Sequence, residues 1–98
     1  MQVKIGPVFY DVRVVNDLKN SKGHDLYGQA DHEYNSINLN PRYGTDQRFL
    51  TLWHEVLHCF EPVFGVSMSE KQVTRLSALI ALAIKDNPIL RGEDGYLD

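Results

Sequence analysis

Apolar and polar positions alternate in two distinct periods along this chain, and the change of period divides it in half. Val8 to Val15 (VFYDVRVV) is dense in β-branched and aromatic residues, the composition of a strand. The polar run Asn16 to Asp25 (NDLKNSKGHD) contains a glycine and reads as a connection. Two short extended segments follow, Leu26 to Asp31 and Ser36 to Asn40, separated by the four residues HEYN. In the second, Ile37 and Leu39 alternate with Ser36, Asn38 and Asn40, the period-2 pattern of a strand with one buried face. The pair is expected to form a hairpin.

Beyond Pro41 and Gly44 the period lengthens. Phe49, Leu52, Trp53, Val56, Leu57 and Phe60 fall at helical spacing, predicting a helix capped by Thr45 or Asp46 and stopped at Glu61-Pro62. The stop is expected because a proline disfavours helical geometry in the residue before it. A second helix is predicted from Ser69, with Gln72 at the capping-box position, to Asn87-Pro88. Val73, Leu76, Leu79, Ile80, Ala83 and Ile84 make it apolar over much of its circumference, so deep packing is expected. The fold class that results is α+β. A small twisted sheet of about three strands, mostly antiparallel, should pack on the first helix, with the second helix antiparallel to it. Residues 1–88 form a single domain on this reading, and 89–98 a flexible tail with little to bury.

Composition narrows the function. The chain has 98 residues, which suits one compact domain. Its 13 acidic and 10 basic residues give a net charge of -3 with no basic patch, which argues against nucleic-acid binding. No apolar run approaches the roughly 20 residues that cross a bilayer, so no membrane partner is expected. A single cysteine, Cys59, and an N-terminus without a secretory pattern point to a reduced, cytoplasmic setting. Cys59 reads as a small buried apolar residue, since it does not share the face of its neighbour His58.

Chemistry enters at His54-Glu55-Val56-Leu57-His58. Histidines four residues apart on a helix lie one turn apart on the same face, so both rings can reach a single ion. Zinc takes imidazole nitrogen in a tetrahedral shell, and a catalytic site reserves one position for water. Glu55, next to the first histidine, is placed to act as general base toward that water. A shuffled chain of this composition would carry the motif roughly once in a hundred, and here it falls on a well-patterned helix. A third ligand is needed. Glu70, at the start of a second helix folding back on the first, should lie near His58, and the helix dipole favours a carboxylate there. Glu61, three residues after His58 on the same face, is the weaker candidate, because ligands strung along one helix make a poor tetrahedron. His24 and His32 lie in polar connections and read as exposed loop residues. Tyr27, Tyr34 and Tyr43 could stabilise an oxyanion but read first as packing or turn residues.

SINLN, LTLWHEVLHCF and SEKQVTRLSALIALAIKDNP, spanning Tyr27 to Pro88, together resemble the minimal gluzincin-like zinc peptidases of the ImmA/IrrE type. The chain is similar especially to short HExxH proteins common in bacteriophage and prophage genomes. The resemblance implies Zn2+ held by His54, His58 and Glu70, with Glu55 as catalytic base. It also implies a peptide or protein substrate added as a strand to a sheet edge, here expected at Ser36 to Asn40. Such proteins often carry a longer segment and further domains after the motif, and neither is expected here. The alternative is therefore a non-catalytic zinc-binding module that regulates a partner protein.

Overall fold

The computed structural model describes residues 1–93 and 95. Its elements run β1 (Gln2–Ile5), β2 (Val8–Val14), β3 (Gly28–Asp31), β4 (Ser36–Leu39), α1 (Thr45–Phe64) and α2 (Glu70–Asp86). A short 3-10 turn, Pro88–Arg91, follows. The fold is α+β as the periodicity predicts, with four strands in the order β1-β2-β4-β3 rather than about three.

β1 is the strand the sequence reading passes over, although Val3 and Ile5 alternate with Gln2 and Lys4. It pairs antiparallel with β2, Ile5 opposite Val8, across a Gly6-Pro7 turn. Glycine suits position 6 twice over. Its φ is +57, and a Cβ there would lie 3.1 Å from side-chain atoms of both Val63 and Phe64. The β3–β4 hairpin forms as expected, Ala30 opposite Ile37. Asp31 Oδ1 accepts from the amides of Glu33 and Tyr34 within its turn. β4 then runs parallel to β2, so the sheet is mixed. This insertion explains why Ser36 is buried along with Ile37 and Leu39: β4 is an interior strand, covered by neighbours on both edges. It also corrects the expectation that Ser36 to Asn40 receives a peptide. That segment has no free edge, and β3 occupies the outer position.

α1 lies on the sheet. Val56 and Cys59 are buried with Ile5, Tyr10, Ile37 and Leu39, and Leu52, Trp53, Phe60 and Val63 pack around that cluster. The helix differs from expectation at both ends. Its N-cap is Gly44, with no side-chain cap, so Thr45 and Asp46 sit inside the first turn. At the other end it runs through Pro62 to Phe64 and closes at Gly65, φ +67. Pro62 removes one amide donor, but Val63 packs on the core and Phe64 meets the Phe60 ring edge-to-face at 5.6 Å. These contacts hold a turn that proline alone would disfavour.

α2 begins with the expected capping box: Ser69 Oγ accepts from the Gln72 amide, and Gln72 Oε1 accepts from the Ser69 amide. The expectation of deep packing does not hold. Val73, Ser77 and Ala81 are buried, whereas Leu76, Leu79 and Leu82 are 43%, 67% and 50% exposed. α2 packs on α1 from outside the sheet layer, so only one stripe of it finds a neighbour. Arg91 Nη1 donates to the carbonyls of Ile84 (2.7 Å) and Lys85 (2.6 Å), tying the 3-10 turn to the last turn of α2. Of residues 89–98, positions 94 and 96–98 lie outside the described residues. Among the described residues, no helix is long and apolar enough to cross a membrane.

Candidate metal centre

The motif sits midway along α1, with Glu55, Val56 and Leu57 buried and the two histidines toward the open side. His54 and His58 are partly exposed, one turn apart, with ring centroids 4.9 Å apart. Glu55 lies between them in sequence but about 100° around the helix from His54, which sinks its side chain beneath the ring face. It is 6% exposed. Donor atoms of His54, Glu55 and His58 all fall within 4.8 Å of one another.

Glu70 arrives from the other helix. The capping box starts α2 at Ser69, placing Glu70 in its first turn beside α1. The carboxylate spans both rings: Oε1 is 2.8 Å from His54 Nε2, and Oε2 is 2.9 Å from His58 Nε2. Glu55 and Glu70 are thus both acidic neighbours of the histidine pair, on opposite sides. Glu70 approaches from solvent and meets the two Nε2 atoms directly, while Glu55 is buried toward β3. Glu70 makes the direct contacts with both Nε2 atoms, whereas Glu55 clusters with the two rings. Glu61 does not join this convergence; its Oε1 lies 2.9 Å from His58 Nδ1, on the far side of the ring.

The electrostatics follow from burial. Glu55 has its pKa pushed from 4.5 to about 7, chiefly by desolvation. The charge of His58 opposes that rise and Glu70 adds to it. One of its oxygens, Oε2, is buried without a hydrogen-bond partner. Burial lowers the pKa of His58, but Glu61, Glu55 and Glu70 outweigh that effect and raise it overall. The neighbouring Cys59 thiol is fully buried and pushed up to about 12 by desolvation, which makes it a poor thiolate ligand.

A cleft of about 720 Å³ opens in front of the cluster. Tyr27, Gly28, Gln29 and Ala30 of the β3 side line one wall, and Thr74, Ser77 and Ala78 of α2 the other. Gly28 lets the β3 backbone approach α1: a Cβ there would lie 2.5 Å from Thr51 Cγ2 and 3.4 Å from Glu55 Cγ. Of the three tyrosines, Tyr27 lines the cleft but stacks on Tyr43 at 4.2 Å between centroids, and Tyr34 is exposed in the β3–β4 turn. His32 is exposed in the β3–β4 turn, as expected. It too lines the cleft, its Nδ1 3.3 Å from the hydroxyl of buried Tyr10. Nothing in the spacing of His32 could reveal this, because the contact depends on the β3–β4 turn folding back over β2. His24 stays in the exposed connection, where its amide donates to Asn20 Oδ1.

Two imidazole nitrogens and a carboxylate meeting at one point match the donor set of a catalytic zinc site. The orphaned Glu55 Oε2 beside them needs a partner that a water at such a site would supply. The residues therefore fit the ion. No known protein family, curated protein or solved structure matches this chain.

Proposed function

We propose that the protein is a zinc-dependent peptidase, with His54, His58 and Glu70 as metal ligands and Glu55 as general base. The carrying observation is the Glu70 carboxylate bridging the two Nε2 atoms of a histidine pair that clusters with the buried Glu55. When bound, zinc supplies a Lewis acid and lowers the pKa of water to near neutrality. Glu55, whose burial raises its pKa to about 7 in the metal-free chain, is placed to accept a proton from water and return it to the departing amide nitrogen. Glu55 is buried against the Gly28 backbone, where an added Cβ would lie 3.4 Å from its Cγ. An extended peptide substrate has a free edge to pair with at β3, which lines the cleft beside the motif. A cytoplasmic setting and kinship with ImmA/IrrE-type phage peptidases belong to the same reading.

Incubation of the zinc-loaded protein with an unbiased peptide library, read by mass spectrometry, tests this. Cleavage by the wild type that falls at least about 100-fold in Glu55→Gln, with zinc retained, is the expected result. No cleavage by fully zinc-loaded wild type would instead favour the non-catalytic zinc module.

A further inference from the structure

The two nitrogens of His58 face two different carboxylates. Nε2 lies 2.9 Å from Glu70 Oε2, and Nδ1 lies 2.9 Å from Glu61 Oε1. Glu61 side chain and ring are each three-quarters buried, so the contact is shielded from solvent. A carboxylate only accepts hydrogen bonds, so in the metal-free chain each nitrogen donates to the carboxylate it faces. A metal at Nε2 would replace the proton on that side, and the one proton left on the neutral ring would be the Nδ1–H that Glu61 accepts. Among the described residues, His54 has no second carboxylate of this kind.

We infer that Glu61 is a positioning residue: it fixes the tautomer and ring orientation of His58 so that Nε2 is presented to the metal. This rests on the zinc reading above but assigns Glu61 a role outside the ligand shell. The local structure supports it. Glu61 precedes Pro62, where helical geometry is disfavoured, yet α1 continues to Phe64 and keeps Glu61 one turn from His58. A helix ending at Glu61, as the sequence suggests, would leave that carboxylate in a frayed end. The packing of Val63 and Phe64 is what holds it under the ring. Carboxylates that receive the outer proton of a ligating histidine raise its basicity, and their loss weakens metal binding about 10- to 100-fold.

The test measures zinc affinity by chelator competition, together with the visible spectrum of the Co2+-substituted protein. The wild type is compared with Glu61→Ala and Glu61→Gln. Glu61→Ala should bind one metal per chain about 10- to 100-fold more weakly, with an altered cobalt spectrum. Glu61→Gln keeps an acceptor oxygen for Nδ1–H and should recover a large part of the affinity. Zinc affinity within twofold of wild type in both variants overturns the inference. Equal losses in both also overturn it, since charge alone would then account for the effect. Should Glu61→Ala not fold, Glu61→Met, which fills similar space without an acceptor oxygen, takes its place beside Glu61→Gln and is read by the same outcomes. Failure of the site itself is separate, because there the wild type binds no zinc at all.

Discussion

α1 and α2 are both amphipathic and both rich in apolar residues, yet they bury very different material. α1 lies between the sheet and α2. It buries Val56, Leu57 and Cys59, and with them the charged-capable Glu55. α2 touches mainly one helix; it buries Val73, Ser77 and Ala81 and leaves three leucines largely in solvent. The number of layers over a helix, more than its hydrophobicity, sets what it can bury. Chemistry follows the same division. The layered helix can desolvate a glutamate and raise its pKa, while the outer helix delivers Glu70 from its exposed first turn to the open side of the histidine pair.

Substitutions along the two helices should therefore differ in cost. Leu57→Ala on α1 removes a 4% exposed side chain and should lower unfolding free energy by about 2–5 kcal/mol in urea denaturation. A loss under about 1 kcal/mol would mean that the interior of α1 is loosely packed.

Next comes Glu55, whose cost depends on pH. Its folded pKa of about 7 exceeds the unfolded value, so the folded state holds that proton more tightly. The resulting stability is fully present below about pH 4.5 and is lost as pH rises through about 7. In metal-free protein, Glu55→Gln should thus exceed wild type in stability by up to about 2–3 kcal/mol at pH 8. The difference should vanish near pH 4. A pH-independent difference in paired denaturation curves would show that Glu55 is not desolvated.

On α2 the effects shrink. Ser69→Ala deletes the capping box and should cost about 1 kcal/mol. It should also weaken metal binding, because the cap fixes the turn that carries Glu70. Leu79→Ala, at a 67% exposed position, should change stability by no more than about 0.5 kcal/mol. A larger loss in dilute monomer would place α2 deeper in the fold than described here.

Much of this was legible in the sequence where local rules act alone. The Ser69–Gln72 capping box, the β3–β4 hairpin and the shared face of His54 and His58 depend on spacing within a few residues. Glu70 was also legible, since a helix start beside the end of another needs only a short connection. Features set by tertiary contacts were not. Pro62 inside α1 is tolerated because Val63 and Phe64 find partners. β4 is interior because it inserts between β2 and β3, which moved the free edge to β3. The exposure of Leu76, Leu79 and Leu82 reflects the absence of a further layer over α2. His32 and the far-side contact of Glu61 depend on how whole elements meet.

Zinc content of the purified chain, after exposure to equimolar zinc and gel filtration, tests the centre most directly. Wild type should retain about one zinc per chain, His54→Ala and His58→Ala essentially none, and Glu70→Ala much less than wild type. Zinc absent from the wild type, or retained undiminished in His54→Ala, would contradict a metal centre spanning the two helices.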